Sequence, residues 1–278
     1  MRSSIPARAA GPALAALAVL APAAAGQQVD ILDTQIQYNR GQNVAPLYEG
    51  WIRNPDGTID MWFGYLNKNY EEVLHVPIGP DNRIEPGGPD RGQPAVFVPR
   101  RRQGGAVARR ENYVFRVSLP ADFGEEDEVV WTVTAHGKTD RAVGTLLDLY
   151  ALQGTPGGNT PPSVSLTADR ASVAVGDAVT LTATVSDDGL PEEARQPGHV
   201  RWLRYRGPGA VTFDPPRSTF PEADGPLADA EFATRATFSR PGTYELRAAV
   251  NDGDMNQAGW PRIPATTFAS VTVDVLPD

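Results

Sequence analysis

Apolar and polar side chains alternate with a period of two residues at many places in this chain, and this pattern constrains the fold most strongly. The alternation is clearest over 244–250, 179–185 and 271–275. Successive side chains of an extended strand point to opposite faces of a sheet, so each run buries one face and exposes the other. No helical period competes in this part of the chain. The pattern therefore predicts an antiparallel β-structure.

The same alternation appears earlier in the chain, over 59–65, 113–119 and 129–135. The segment Asn54–Gly57 (Asn-Pro-Asp-Gly) comes just before the first of these runs and is typical of a hairpin turn. These signals predict a second antiparallel β-domain in the first half of the chain, and we expect a sandwich there too.

A segment rich in glycine and proline separates the two groups of strands. Glycine loosens the chain and paired prolines stiffen it, which is typical of a short interdomain linker; a loop within one domain is the alternative. We therefore expect a first domain over 26–153, a linker over 154–162 and a second domain over 163–278. A mature chain of about 250 residues is long enough for two ordinary domains.

The first residues, 1–25, have the pattern of a secretory signal peptide. Arg2 and Arg8 precede an apolar stretch over 14–20, and Ala23–Ala25 supply small residues before Gly26. The apolar stretch is shorter than the ~20 residues that a membrane-spanning helix needs. We expect the mature protein to be exported to the periplasm or the cell exterior, without membrane insertion.

Several turn motifs of the second half occur together. They are Asn159–Pro162, Val175–Asp177, Ser186–Gly189, Pro241–Tyr244 and Asn251–Gly253. With these motifs the segment 159–278 resembles a PKD or bacterial Ig-like domain. The resemblance implies an Ig-like sandwich, so the predicted fold class is all-β, with two antiparallel β-sandwich domains after a signal peptide.

One part of the second half departs from the PKD pattern. The Trp-Asp-Phe-Gly-Asp-Gly signature is absent, and residues 201–209 stand in its place. The resemblance therefore leaves both PKD proper and related Ig-like modules open. In Ig-like terms Leu181, Trp202 and Leu246 would form the central contact between the sheets, where some relatives carry a disulfide. The first half resembles no characterised family.

Composition excludes several function classes. The net charge is −9, and removing residues 1–25 takes away two arginines and no acid. An acidic chain repels phosphate and anionic lipid, so we expect no nucleic-acid partner. The chain has no cysteine, so disulfides, thiol catalysis and cysteine-ligated metals are excluded. Each domain must be stabilised by apolar burial.

The segment 77–110 combines many prolines and glycines with several arginines. A long irregular segment in a compact domain is often functional. Guanidinium groups bind carboxylate, sulfate or phosphate, so this segment is a candidate ligand loop. The alternative is that its arginines pair with acids of the same domain over 125–128. The candidate ligand-binding arginines are Arg91, Arg100, Arg101 and Arg102.

Two aromatic residues of the first half are candidate ligand contacts. Trp62 falls on the face opposite Ile59, Met61 and Phe63, and Tyr70 follows the same run. Exposed aromatic rings on a sandwich stack on the apolar faces of sugars. The alternative is that Trp62 is buried under a loop or against the neighbouring domain.

Acidic turns of the second half are a candidate metal site. If its turns meet at one end of the sandwich, their carboxylates would offer oxygen ligands for loosely bound calcium. Ordinary turn chemistry of Asp and Gly is the alternative. The candidate ligands are Asp187, Asp188, Asp252 and Asp254. No other cofactor is expected.

The sequence contains no arrangement that indicates catalysis. His75, His136 and His199 are isolated, and no serine elbow or phosphate-binding loop is present. No two carboxylates are placed together by sequence for sugar hydrolysis; the ones considered are Asp56, Asp60, Glu71 and Glu72.

The expected function is therefore that of an exported, non-catalytic binding or scaffold protein. Its partner would be a glycan, a polymer or a protein surface. A secreted hydrolase that acts on polysaccharide, or its carbohydrate-binding accessory protein, is the alternative.

Overall fold

The computed structural model of the protein describes residues 37–101, 107–153, 159–190, 197–221, 225–253 and 265–277, with the backbone alone at 100–101 and 107–108. The predicted signal peptide and residues 154–158 of the predicted linker lie outside this part of the chain. Within it, the regular structure is β-strand apart from one 3-10 turn at Asp148–Tyr150, which confirms the predicted all-β fold class. No helix among these residues is long and apolar enough to cross a membrane.

The first half of the described chain contains ten strands. They are β1 (Val44–Arg53), β2 (Ile59–Asn67), β3 (Leu74–His75), β4 (Asn82–Glu85), β5 (Val96–Phe97), β6 (Arg100–Arg101), β7 (Val107–Ala108), β8 (Arg110–Leu119), β9 (Val129–Ala135) and β10 (Lys138–Gly144). They form two three-stranded antiparallel sheets with the orders β1-β2-β8 and β10-β9-β4, and two short pairs, β3-β5 and β6-β7. All three alternating runs of this half lie in strands, and Asn54–Gly57 is the predicted turn between β1 and β2.

The core of this first sandwich is aromatic. Trp131 of β9 is fully buried, with its ring centroid 4.9 Å from that of Phe115 and 6.2 Å from that of Phe63, both in edge-on contact. These residues come from both sheets and join one apolar cluster, so the two sheets face each other across a shared core. Edge-on ring pairs add to the stability that burial provides.

The described second half contains the strands β11 (Ser163–Ala168), β12 (Ser172–Ala174), β13 (Ala178–Asp187), β14 (His199–Arg206), β15 (Val211–Asp214), β16 (Arg217–Thr219), β17 (Leu227–Phe238), β18 (Gly242–Asn251) and β19 (Thr266–Leu276). They form a four-stranded sheet, β11-β13-β17-β15, and a five-stranded sheet, β12-β19-β18-β14-β16. The described pairs of these sheets are antiparallel except β12 with β19. The four-stranded sheet has the A-B-E-D order of an Ig-like sandwich, and β19-β18-β14 has the G-F-C order.

The core of this second sandwich follows the Ig-like prediction. Leu181 on β13, Trp202 on β14 and Leu246 on β18 are buried in one apolar cluster, which confirms the predicted contact between the sheets. Tyr244, at the start of β18, is fully buried, and its hydroxyl donates to the carbonyl of Arg240 at 2.8 Å. A buried tyrosine that bonds back to the preceding corner is the tyrosine corner of Ig-like domains.

Candidate functional site

The two sandwiches contact each other through the outer faces of their sheets, and the described residues from Gln37 onward belong to one compact unit. Trp62, on the outer face of β2, lines a groove with Arg247 of β18 and Phe268 of β19. Arg247 donates to the carbonyl oxygen of Val114 on β8 at 3.3 Å. The central strand β2 is therefore buried on both faces, by its own core and by the second sandwich.

This contact corrects the prediction that Trp62 is an exposed aromatic platform. Only 7% of Trp62 is exposed, its ring lies edge-on to Tyr113 at 6.2 Å, and the Arg116 guanidinium lies 5.7 Å from its centroid. The buried alternative is the observed one, in the groove that strands β18 and β19 of the second sandwich help to form. Tyr70 is half-buried, with the Arg109 guanidinium 4.3 Å from its ring centroid. The described ring contacts of Trp62 and Tyr70 have no residue in common.

Arg91, predicted to bind a ligand, contacts the main chain of its own loop and of β8. Its two terminal nitrogens donate to the carbonyl of Pro86 at 2.8 Å and to that of Ser118 at 3.0 Å. The described hydrogen bonds of Arg91 also do not include the acidic residues over 125–128, which the sequence offered as alternative partners. These two bonds fix the loop against β8, and the predicted role of Arg91 in ligand binding stays a prediction.

The other predicted arginines lie partly outside the described residues. Arg100 and Arg101 form strand β6, for which the backbone alone is described, and Arg102 lies beyond it. The neighbouring Arg110 pairs with Glu49 at 2.9 Å, and the Glu49 side chain is 3% exposed. Burial raises the pKa of Glu49, while Arg110 opposes that rise.

The loop 86–95 joins the first sandwich to the second through a set of hydrogen bonds, which we call the interdomain lock. Arg206 of β14 binds both carboxylate oxygens of Asp90 at 2.8 Å and the carbonyl of Gln93 at 2.8 Å. The Tyr205 hydroxyl donates to the carbonyl of Gly92 at 2.6 Å, and Ala95 N–H donates to the Tyr205 carbonyl at 3.2 Å. The hydrogen bonds from Arg206 hold the pKa of Asp90 below its usual value.

Asn82 fixes the shape of the segment that carries the lock. Its side chain is fully buried, donates to the carbonyls of Val76 at 2.9 Å and Pro94 at 2.8 Å, and accepts from Trp131 Nε1 at 2.9 Å. Gln93 is also fully buried, and its side-chain oxygen accepts from the Arg91 main chain at 2.8 Å. Within the irregular segment, these two buried side chains therefore fix the backbone between Val76 and Pro94.

The acidic turns of the second sandwich both contact the segment that enters it, at Asn159 and Thr160. Asn159 donates to Asp252 at 2.9 Å, and Thr160 N–H donates to Asp188 at 2.8 Å. Asp187 accepts from Gly189 N–H at 3.0 Å, and burial raises its pKa. Within the described part of the chain no group of three acidic or histidine side chains is placed to hold a metal ion. Asp254 lies outside that part, so the calcium site stays a prediction.

The carboxylates considered for hydrolysis have separate partners. Asp56 accepts from Thr58 within its turn, and Asp60 accepts from Ser118 Oγ at 2.5 Å and pairs with Arg116 at 3.3 Å. Glu72 accepts from Gly41 N–H at 2.6 Å and lies 3.1 Å from His136. Glu71 is exposed. Asp56, Asp60 and Glu72 thus each bind different partners, and their described hydrogen bonds do not pair any two of them.

A cavity of about 400 Å³ lies between the sandwiches, next to the lock, and we call it the interdomain cavity. Apolar side chains cover its walls, and three arginines and one glutamate line it. Its walls include Val96, Val98 and Val114 of the first sandwich and Leu203, Val211 and Phe213 of the second; its charged residues are Glu111, Arg201, Arg204 and Arg247. An apolar cavity with a few polar groups is the usual form of a small-molecule site.

Two of these arginines are held by first-sandwich groups. Arg201 faces Glu111, with both terminal nitrogens 3.4 Å from one carboxylate oxygen. Arg247 lies over the Tyr205 ring, 3.2 Å from its centroid, besides its bond to Val114. These contacts pair β8 with β14 and β18, so the interdomain cavity and the lock belong to one interface.

Comparisons with known proteins add little to this geometry. No protein-family model matches the chain, and no curated protein matches it. Similar solved structures include the CARDB domain of a Pyrococcus furiosus protein, with a TM-score of 0.29 and 16% identity over 45% of this chain and 100% of that one. The D00-D0 domain of intimin has a TM-score of 0.24 and 12% identity, covering 84% and 99%. FdeC, an Escherichia coli adhesin, has a TM-score of 0.22 and 14% identity, covering 83% and 62%.

These scores place the chain in no family and support no argument about its function. The Ig-like description of the second sandwich therefore depends on its own strand order and tyrosine corner, and its assignment to PKD proper stays a prediction.

Proposed function

We propose that this chain is an exported, non-catalytic scaffold that presents two rigidly joined β-sandwiches to a glycan, polymer or protein partner in the periplasm or at the cell exterior. The observation that carries the proposal is the interdomain lock. Arg206 and Tyr205 hold the loop 86–95 through charge-assisted and main-chain hydrogen bonds, which fix direction as well as distance. A fixed angle between two sandwiches suits a spacer that has to hold a binding surface in place.

The irregular loop of the first sandwich supports this proposal. Loops with so many glycines and prolines often form binding sites or lids. Here Asn82 and Gln93 are fully buried, and Asp90 faces Arg206. The buried side chains of Asn82 and Gln93 hold the shape of this segment within the first sandwich, and Asp90 joins it to the second. This use of the polar groups favours a mechanical role over a catalytic one.

Replacing Arg206 by alanine is expected to uncouple the sandwiches. The variant loses the paired bonds to Asp90 and those to the Gln93 carbonyl. Because Asp90 is 48% exposed, solvent screens the pair, and we expect a loss of about 1–2 kcal/mol of coupling. Calorimetry should show one unfolding transition for the wild type and two for the variant. Arg235→Ala, an exposed change on β17, is the matched control. Two transitions in the wild type, or one unshifted transition in Arg206→Ala, would contradict the lock.

Binding to polymers tests the function itself. Purified protein from residue 26 onward is mixed with insoluble cellulose, chitin and peptidoglycan, and the pellet and released reducing ends are measured. We expect the protein to co-sediment saturably with at least one polymer and to release no reducing ends above background. Release of reducing ends would favour the alternative, a hydrolase. Absence of the protein from every pellet would contradict polymer binding.

A further inference from the structure

The interdomain cavity has a charge that differs from that of the whole chain. The protein carries a net charge of −9, whereas the cavity is lined by three arginines and one glutamate. Its remaining lining is mainly aliphatic and aromatic, from both sandwiches. Apolar walls with a local excess of positive charge complement a ligand that has an apolar body and one anionic group.

Arg204 is the arginine that such an anion would meet. Its described hydrogen bond is to the carbonyl of Gly209, and among the described residues no carboxylate pairs with it. Glu111 faces Arg201, and Arg247 is held by Glu245 at 3.3 Å and by the Val114 carbonyl at 3.3 Å. A guanidinium has five donors, so one carbonyl leaves most of those of Arg204 for another acceptor.

The surroundings of Arg204 show that its charge is poorly compensated. Burial lowers the pKa of the Arg204 guanidinium. Burial and, second, the charge of Arg204 lower the pKa of the His75 imidazole. Desolvating a cation without an anionic partner is unfavourable, and a bound carboxylate would remove that penalty.

The cavity wall contains a second unsatisfied donor. Trp202 lines the cavity and is 3% exposed, and its indole Nε1–H has no hydrogen-bond acceptor within the described part of the chain. Buried polar groups are usually satisfied, so an indole donor without an acceptor is unusual in a residue that lines a cavity.

We propose that the interdomain cavity is a binding site for a small carboxylate with an apolar body, whose carboxylate pairs with Arg204 while its body contacts Val96, Val211 and Phe213. Such a ligand touches both sandwiches, because Val96 belongs to the first and the other residues to the second. The proposal uses only the residues that line the cavity, so it does not depend on the function proposed above.

Titration calorimetry with 4-phenylbutyrate tests the site, with 4-phenylbutan-1-ol as the uncharged analogue. We expect saturable binding of one carboxylate per chain, and at least about tenfold weaker binding of the alcohol, because a hydrogen bond to a charged group contributes about 1.5–3 kcal/mol. Failure of the wild type to bind the carboxylate, or equal affinity for the alcohol, overturns the proposal.

Two variants locate the binding. Arg204→Gln keeps a hydrogen-bonding side chain but removes the charge, and we expect about tenfold weaker binding of 4-phenylbutyrate. Ala210 lines the cavity, is exposed, and makes its described hydrogen bonds through its main chain, so a larger side chain there breaks none of them. We expect Ala210→Trp to fill the cavity and abolish binding. Arg235→Gln makes the same charge change on β17 and should bind as the wild type does. With unchanged melting temperatures, wild-type affinity in both cavity variants places binding elsewhere and overturns the proposal.

Discussion

Replacing Asn82 by alanine is expected to lower the free energy of unfolding by about 3–4 kcal/mol, since it leaves three buried partners without their hydrogen bonds and each such group costs about 1–3 kcal/mol, less any relaxation. Those partners are the carbonyls of Val76 and Pro94 and the indole nitrogen of Trp131. None of them is easily reached by water, because Asn82 and Trp131 are fully buried.

The same substitution is expected to weaken the interdomain lock. Asn82 holds the Pro94 carbonyl, and the adjacent Gln93 carbonyl accepts two hydrogen bonds from Arg206. When the bond from Asn82 to the Pro94 carbonyl is lost, the loop becomes more flexible. The bonds from Arg206 to the Gln93 carbonyl are then formed less of the time. The variant should therefore show the separated unfolding transitions expected for Arg206→Ala.

Urea denaturation at constant pH measures the loss of unfolding free energy in Asn82→Ala, and calorimetry measures whether its unfolding transitions separate. Asn39→Ala is the matched control, because Asn39 is exposed and its described hydrogen bonds are made by its main-chain carbonyl. We expect that control to change stability by less than about 0.5 kcal/mol. A loss below about 1 kcal/mol in Asn82→Ala would show that the loop does not depend on this side chain.

The strands were largely predictable from the sequence, because their signal is local. Runs such as 129–135 and 244–250 bury one side, and both are strands in the structure. The contact of Leu181, Trp202 and Leu246 was predictable for a different reason, since the Ig-like resemblance supplies the pairing of distant strands. Alternation by itself says which face is buried but not which strand lies opposite.

The role of the arginine-containing segment was not predictable from the sequence. Asp90 and Arg206 are 116 residues apart, and no local pattern indicates that they pair. Asn82 resembles an ordinary turn residue, because the sequence Gly-Pro-Asp-Asn is typical of a loop. Its burial follows from tertiary packing around Trp131, which composition and spacing do not reveal.

The burial of Trp62 has a local signal in the sequence. The run Met61-Trp62-Phe63 is continuously apolar within an alternating strand. A strand that is apolar on both faces is typically covered on both faces. That reading indicates the contact with the second sandwich and argues against an exposed sugar platform.

Replacing Gly207 by alanine is expected to destabilise the second sandwich by about 3 kcal/mol, from backbone strain and from overlap with the Tyr244 ring. Gly207 has a φ of +134°, which L-residues rarely adopt, and a Cβ there would overlap the buried ring of the tyrosine corner. Tyr244 is not free to move away, since its hydroxyl is held by the Arg240 carbonyl.

Gly176→Ala separates the two causes. Gly176 also has a positive φ, +88°, but a Cβ there would have open space around it, so this control reports backbone strain alone. We expect it to lose about 1 kcal/mol in urea denaturation. A double-mutant cycle of Gly207→Ala with Tyr244→Leu then measures the overlap, and we expect a coupling of at least about 1 kcal/mol, since the smaller side chain relieves it. Equal losses of stability in Gly207→Ala and Gly176→Ala, without coupling to Tyr244, would contradict the predicted overlap. Backbone strain would then be the whole reason for glycine at position 207.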